Sequence, residues 1–312
     1  MHLQKLEDVF SVRPRVFRNT ELIYNNDLAW HVSSMTNRDG SKRWKGMLCE
    51  GVDRHLGFRS PNFVYTPPGK PVGEGNKPFA LLLKNYKLSD DIAFRFSNRG
   101  WSEWPLSADR FAQWVHALPP EDSLLGLFMD YETFGEHQWR ETGIFKFMEY
   151  LPGALLRSDR VRFETPREVV AYQDAVARLD VPYPVSWADA ERDLTAWLGN
   201  QMQRAAHGAL YSILPDVRKA AQAGRVEFLE HWRKLSTSDH VYYMCTKWFS
   251  DGDVHKYFSP YASPHDAFIT FMNVLDDLAR RACAAAGASA SATTPEPFAA
   301  SKASLAEDDG QP

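Results

Sequence analysis

Four ionisable side chains follow an apolar run in the middle of the chain. Residues 124–129 read LLGLFM, and Asp130, Glu132, Glu136 and His137 come after them. Such a run is typical of a strand covered on both faces, and in α/β folds the carboxyl ends of parallel strands carry the reactive groups. If the extended chain continues beyond the run, Asp130 and Glu132 point the same way. Two carboxyls beside an apolar strand raise the pKa of at least one of them, which a general acid working near neutral pH requires.

Two further stretches hold polar side chains that could take part in chemistry. A short β-prone stretch runs into Asn19, Thr20 and Glu21, and Asp239 and His240 precede an aromatic cluster. Each stretch also has a purely structural interpretation. Asn19 or Thr20 could cap a following helix with Glu21 in its first turn, and the third stretch could be a loop with a packed helix. The acidic residues after the apolar run could likewise form a solvated loop with a helix cap.

The elements that must position these residues alternate over the first 165 positions. Short apolar or β-branched stretches predict strands at 15–17, 46–49, 62–65, 79–83, 91–96 and 124–129. Amphipathic stretches predict helices at 21–32 and 108–117. Strands that alternate with helices indicate βαβ units and a largely parallel sheet. The predicted fold class is therefore α/β, as a barrel or an open sheet.

The pattern changes to longer helices after residue 165. Thr165-Pro166-Arg167-Glu168 combines an N-cap, a proline at the first helical position and a capping-box glutamate. We therefore expect a domain over 1–165 and a helical region over 166–283. Residues 284–312 are rich in Ala and Ser, cannot bury enough apolar area to offset their chain entropy, and are expected to be disordered.

Taken together, the three polar stretches resemble the α-amylase-like branch of glycoside hydrolase family 57. FRNTELIYNN resembles the segment that carries the family's nucleophile, which falls on Glu21. MDYETFGEHQW resembles the segment that carries the general acid/base, which falls on Asp130. SDHVYYMCTKW and DGDVHKYFSPYASPHDAF resemble the last signature, whose residues line the sugar site. The resemblance implies a (β/α)7-type barrel followed by a helical region that contributes to the sugar site.

The resemblance also implies a reaction. Family members cleave α-glucosidic bonds of starch-like or glycogen-like glucans with retention at the anomeric carbon. Glu21 would attack that carbon, while Asp130 would protonate the leaving oxygen and then activate water. The two carboxyl groups of a retaining enzyme lie about 5–5.5 Å apart. Glu132 is the neighbour expected to keep Asp130 protonated.

Substrate contacts are expected from both halves of the chain. Trp101 and Trp104 follow the strand-like stretch in a loop containing Gly and Ser, and we expect their rings to form a wall of the sugar site. Asp239 and His240 are expected to hydrogen-bond glucose hydroxyl groups from the helical region. The resemblance implies that the substrate is an α-glucan or a maltooligosaccharide.

One part of the family pattern is missing. Family members begin with a strand ending in His-Gln-Pro, whereas His137-Gln138 is followed by Trp139, and Glu21 lies twenty residues from Met1. We therefore expect an incomplete barrel that lacks its first strands. Three functions stay open: an α-amylase-like hydrolase, a 4-α-glucanotransferase, and a truncated, non-catalytic glucan-binding protein.

Composition excludes several other classes of protein. The net charge is −4 and is spread along the chain, which argues against a nucleic-acid or anionic-membrane surface. Three distant cysteines suggest no disulfide framework, and no apolar run reaches the roughly 18 residues of a membrane span. The amino terminus has no signal-peptide pattern, so a cytoplasmic location is expected.

No cofactor or metal is expected. His137, His240, Asp253 and His255 lack the His-Glu-x-x-His or paired-cysteine spacing of a zinc site. The glycines at 69–75 lie in a Pro-rich stretch rather than between a strand and a helix, so they do not predict a phosphate-binding loop. The sequence leaves the oligomeric state open.

Overall fold

The chain folds as two compact units, Met1–Ala196 and Trp197–Pro312. The computed structural model describes residues 2–69, 77–247 and 259–286. Residues 166–196, which the sequence assigns to the helical region, belong to the first unit and supply one strand of its sheet.

A five-stranded mixed sheet forms the centre of the first unit. Its strands are β1 Val16–Arg18, β2 Gly46–Glu50, β3 Val64–Thr66, β4 Ala80–Lys84 and β5 Ala177–Arg178. They are hydrogen-bonded in the order β1-β2-β4-β3-β5. β1, β2 and β4 run parallel, β3 is antiparallel to β4, and β5 is parallel to β3. The carboxyl ends of β1, β2 and β4 therefore lie at one edge of the sheet.

Both faces of the neighbouring strands β2 and β4 are buried. Met47 and Leu81 belong to a core cluster on one face, and Ala80 and Leu82 belong to a cluster on the other. This arrangement follows from the alternation of side chains along a strand. All five residues of β4 are buried, as expected for a strand that is covered on both sides.

Helices and short turns surround this sheet. The α-helices of the first unit are α1 His2–Phe10, α2 Asn26–Ser34, α3 Asp53–Leu56, α4 Tyr86–Asp90, α5 Ala108–His116, α6 Ile144–Leu155 and α7 Pro166–Tyr172. A π-helical turn covers Asp91–Arg95, and 3-10 turns cover Thr20–Leu22, Tyr131–Thr133 and Arg140–Thr142. α5 and α6 pack around Phe111, Ile144 and Phe147 in a second core. The predicted capping box at Thr165 is confirmed.

The second unit is helical in its described part. α8 Thr195–Leu198 crosses the division between the units and is followed by α9 Gln201–Ser212, α10 Leu214–Gln222, α11 Glu227–Leu235, α12 Ser238–Tyr242 and α13 Pro264–Ala285. Phe271 and Leu275 of α13 pack with Leu210 of α9, and Leu278 packs with Phe228 of α11. None of the helices in the described ranges combines the length and apolar character that crossing a lipid bilayer requires.

The mixed α/β fold class is confirmed, with corrections to individual elements. The strands predicted at 15–17, 46–49, 62–65 and 79–83 form within two residues of their expected positions, and the helix at 108–117 forms as α5. The strand predicted at 91–96 is wrong, because this stretch is a π-helical turn. The strand predicted at 124–129 is wrong, because none of these residues belongs to a strand, and the helix predicted at 21–32 begins only at Asn26.

Two wider expectations stay predictions. The barrel, with or without its first strands, stays a prediction, because β1 and β5 are the first and last strands in the hydrogen-bonded order of the described sheet. The disorder expected over 284–312 stays a prediction from residue 287 onward, because those residues lie outside the described part. At the start of that range, α13 continues to Ala285.

Candidate active site

The carboxyl ends of β1, β2 and β4 carry charged residues. Arg18, Glu50 and Lys84 are the last residues of these three parallel strands. Because parallel strands place their carboxyl ends at the same edge, these side chains and the turns after them gather there. Both predicted catalytic carboxyl groups lie at this edge.

Glu21 lies in the turn that follows β1. Its backbone has φ 54° and ψ 22°, and Leu22 has φ 49°, so two consecutive non-glycine residues adopt the left-handed conformation. This conformation is unfavourable for such residues and is found mostly at functional sites. The buried side chain of Leu22 anchors the turn in the protein interior. The alternative in which Glu21 opens a helix is wrong, because the next helix begins at Asn26 and Asn25 caps it.

A tryptophan from a distant loop holds the Glu21 carboxylate. The indole N–H of Trp187 donates a hydrogen bond of 2.7 Å to Oε2 of Glu21. The backbone N–H of Trp187 donates to the backbone carbonyl of Glu21 at 3.1 Å. Trp187 is not among the residues predicted from the sequence, because it lies 166 positions after Glu21 and in no recognisable motif. The turn of Glu21 is thus restrained at both its main chain and its side chain.

Asp130 ends an extended segment that lies beside β4. The backbone N–H of Asn85 donates to the carbonyl of Gly126 at 2.8 Å. A Cβ atom at Gly126 would lie 2.3 Å from the carbonyl oxygen of Leu83, so only glycine permits this close approach. The chain turns at Asp130 into the 3-10 turn Tyr131–Thr133. The expectation that the extended geometry continues to Glu132 is therefore wrong.

The surroundings of Asp130 raise the pKa of its carboxyl group. Although Asp130 reaches solvent, the protein around it removes part of its hydration, and this desolvation is the main cause of the raised pKa. The neighbouring charge of Glu132 raises it further, while the positive charges of Arg18, His137 and Lys84 act in the opposite direction. A carboxyl group with a raised pKa is suited to donating a proton, which is what the sequence predicts for this residue.

Glu21 and Asp130 lie around a shared group of side chains. The guanidinium carbon of Arg18 lies 4.9 Å from the centre of a Trp187 ring, and Nζ of Lys84 lies 5.3 Å from it. Both cations also act on the Asp130 carboxyl group. Trp187 binds Glu21 directly, and the two cations beside its ring are among the groups that lower the pKa of Asp130, so both carboxyl groups lie near this group of side chains.

The predicted aromatic wall divides into two environments. The ring of Trp101 packs edge-on against Trp114 at 6.1 Å between centres, and the Arg95 guanidinium lies over it at 5.8 Å. Trp104 is 41% exposed, with Arg99 over its ring. Both tryptophans follow a π-helical turn rather than the predicted strand. The exposed ring of Trp104 is thus the better placed of the two to meet a ligand.

The remaining predicted site residues lie in the second unit. Asp239 and His240 belong to α12, where the His240 ring lies 5.6 Å from that of Phe271. Their role as sugar ligands stays a prediction. Asp253 and His255, like the whole of the DGDVHKYF stretch, lie outside the described residues. Within the described ranges, no three His, Cys, Asp or Glu side chains are grouped so as to hold a metal ion.

Comparison with known protein families identifies the group to which this chain belongs. The family model described as glycosyl hydrolase family 57 matches residues 1–182, which is more than half of the chain and includes Glu21 and Asp130. The chain belongs to glycosyl hydrolase family 57. The resemblance stated from the sequence motifs is therefore confirmed at the level of the family.

One sequence relative and one solved structure are similar to this family 57 chain. A protein of Methanocaldococcus jannaschii named "Putative alpha-amylase" is 39% identical over 284 residues, which cover 89% of this chain and 57% of that protein. The crystal structure of a family 57 branching enzyme from Thermococcus kodakaraensis, in complex with glucose and additives, is similar with a TM-score of 0.57. That similarity covers 90% of this chain and 61% of the other at 12% identity, so it shows a shared fold alone. The chain thus spans less than two thirds of the length of each.

Proposed function

We propose that this family 57 chain is a retaining glycoside hydrolase that acts on the α-glucosidic bonds of starch-like or glycogen-like glucans. Glu21 is the nucleophile and Asp130 the general acid/base. The observation that carries the proposal is the arrangement of both carboxyl groups around Arg18, Lys84 and Trp187 at one edge of the sheet. The substrate class follows the name of the Methanocaldococcus jannaschii relative, "Putative alpha-amylase".

The environments of the two carboxyl groups match these different roles. The indole N–H of Trp187 donates to a carboxylate oxygen of Glu21 and so restrains the orientation that the nucleophile needs. Attack by Glu21 forms a glycosyl ester while the bond to the leaving oxygen breaks and Asp130 gives its proton to that oxygen. Asp130, now ionised, takes a proton from water, and the resulting attack on the ester releases the sugar and restores Glu21.

Azide, an external nucleophile, can assign the two roles separately. We expect Glu21→Ala to lose hydrolysis of an α-maltosyl fluoride and to form the β-maltosyl azide, because azide then attacks the substrate directly. We expect Asp130→Ala to form the α-maltosyl azide, because azide there attacks the glycosyl-enzyme that Glu21 has made. Proton NMR of the anomeric signal distinguishes the two products. Formation of the same anomer by both variants would contradict the assignment.

The same proposal assigns the remaining predicted site residues to the substrate. Glu132 maintains the raised pKa of Asp130, Trp104 and Trp101 belong to a sugar-stacking wall, and Asp239 and His240 bind glucose hydroxyl groups. Titration of each alanine variant with maltoheptaose tests these assignments, and an unaltered affinity would remove a residue from the binding site.

The products from maltoheptaose separate the open alternatives. A hydrolase releases only shorter oligosaccharides with new reducing ends, whereas a 4-α-glucanotransferase also makes longer ones without a net gain in reducing ends. Binding without any product would indicate a non-catalytic glucan-binding protein.

A further inference from the structure

The loop that carries Trp187 is closed by its own hydrogen bonds. We call residues 186–193 the Trp187 loop. The backbone N–H of Ser186 donates to the carbonyl of Arg192 at 3.2 Å, and the Ser186 hydroxyl donates to the carbonyl of Asp193 at 2.7 Å. Ser186 is fully buried. These bonds join the two ends of the loop, so the position of Arg192 and the position of Trp187 are linked.

The far end of the Trp187 loop is held by a buried group of charges. The Arg192 guanidinium lies 3.1 Å from Oε2 of Glu50 and 3.3 Å from Oδ2 of Asp90. Lys84 completes the group, with Nζ at 3.1 Å from Asp90 and 3.7 Å from Glu50. We call these four residues the ion cluster. Glu50 and Lys84 are 2% and 4% exposed, and the Arg192 guanidinium also stacks on Tyr86 at 4.0 Å.

The ion cluster fixes a strained backbone. Arg192 has φ 50°, a left-handed conformation that a residue with a side chain adopts only when its surroundings hold it there. A second cation acts on the same segment, because the Arg54 guanidinium donates to the carbonyls of Glu191 at 2.8 Å and Arg192 at 2.9 Å. Buried ion pairs often contribute little net stability, and in some proteins they specify one geometry. The cluster is therefore suited to setting the position of the loop rather than to stabilising the fold.

We propose that Arg192 is a positioning residue for Glu21 and acts through Trp187. The ion cluster anchors one end of the Trp187 loop, and the other end supplies the two hydrogen bonds that hold the Glu21 turn. Loss of the Arg192 anchor releases the loop and, with it, the N–H group that orients the carboxylate. The inference rests on the proposed role of Glu21 as the nucleophile.

The indole N–H of Trp187 reports on this link without any need for activity. In protein labelled with ¹⁵N-tryptophan, the Trp187 signal is identified by its absence in Trp187→Phe. We expect its hydrogen exchange with solvent to be faster in Glu21→Ala, where its partner is gone, and in Arg192→Met by up to about tenfold. The control is Arg157→Met, which removes an exposed arginine of the same unit that pairs with Asp109.

Each result of this experiment counts for or against the proposal. Faster exchange in Arg192→Met with an unchanged signal in Arg157→Met supports it. Unchanged exchange in a folded Arg192→Met, or an equal change in the control, overturns it. If Arg192→Met does not fold, Arg54→Met is decisive instead, because Arg54 is exposed and its replacement also loosens the Trp187 loop.

Kinetics adds a second readout in an active protein. If Arg192 acts through Trp187, Arg192→Met lowers kcat in the wild-type background and has little further effect in a Trp187→Phe background. Equal fold-losses in both backgrounds would overturn the proposal. Because the exchange measurement needs no turnover, an inactive chain would contradict the proposed function while still testing the link between Arg192 and Trp187.

Discussion

The indole N–H of Trp187 donates a 2.7 Å hydrogen bond to Oε2 of Glu21, and the backbones of the two residues are hydrogen-bonded as well. This pair joins the turn after β1 to a loop late in the first unit. A carboxylate that is held in one orientation before substrate arrives needs no reorganisation during attack. The fold thus orients the carboxylate that we propose as the nucleophile before substrate binds.

Removal of this indole N–H should slow the reaction more than it weakens substrate binding. Trp187→Phe keeps an aromatic ring but deletes a hydrogen bond to a charged group, which is worth about 1.5–3 kcal/mol. We expect kcat to fall by roughly tenfold to a hundredfold, with a smaller change in KM. The control is Trp30→Phe, because the Trp30 indole donates to the carbonyl of Pro68 rather than to a carboxylate. An equal loss of kcat in both variants would assign Trp187 to structure.

The alkaline limb of the pH–rate profile should depend on Glu132. Asp130 must be protonated to act as an acid, so kcat/KM falls as pH rises through its pKa. Glu132 is one of the groups that raise this pKa, and Glu132→Gln therefore lowers it and moves the alkaline limb to lower pH. Glu136→Gln, which changes an exposed carboxyl in the same loop, is the control. An unmoved limb in Glu132→Gln would remove Glu132 from this role.

The positions of the two carboxyl groups could be predicted because local sequence determines them. Each follows a β-prone or apolar stretch, and family resemblance assigned their roles to Glu21 and Asp130. The contact with Trp187 could not be predicted, since it depends on how β5 and the following loop return to the edge of the sheet. The ion cluster was missed for the same reason, because Glu50 and Arg192 come from distant parts of the chain.

The wrong strand at 91–96 has a local cause. Ile92 and Phe96 are buried together in the α5–α6 core, whereas Phe94 is 68% exposed. Burial at positions i and i+4 is typical of a helix, but over six residues the same apolar content also fits a strand. Short apolar runs therefore leave the choice to tertiary packing.

A methyl group at Gly126 should destabilise the first unit. Its Cβ would lie 2.3 Å from the carbonyl of Leu83, so Gly126→Ala must move the segment leading to Asp130 away from β4. Overpacking of this kind costs about 1–3 kcal/mol of the free energy of unfolding, measured by urea denaturation. The control is Gly153→Ala in α6, where no atom lies within 4 Å of the added Cβ. There we expect a gain of roughly 0.5–1 kcal/mol from helix propensity. Equal stability of Gly126→Ala and wild type would contradict the close approach.

Trp104 and Trp101 should respond differently to replacement by alanine. Trp104 is 41% exposed, so Trp104→Ala should lower the free energy of unfolding by less than Trp101→Ala does, while it weakens maltoheptaose binding by about fivefold. The Trp101 ring packs on Trp114, so Trp101→Ala should lower the free energy of unfolding by about 3 kcal/mol.

Calorimetric titration in an Asp130→Asn background, which prevents turnover of the glucan, measures the affinity of each variant. An unchanged affinity in Trp104→Ala would show that this exposed ring lies outside the sugar site. A loss of affinity in Trp101→Ala without loss of stability would instead place its partly covered ring against the substrate. The stability and affinity measurements thus separate packing from ligand binding for each of these two rings of the proposed wall, which lie only three residues apart in the chain.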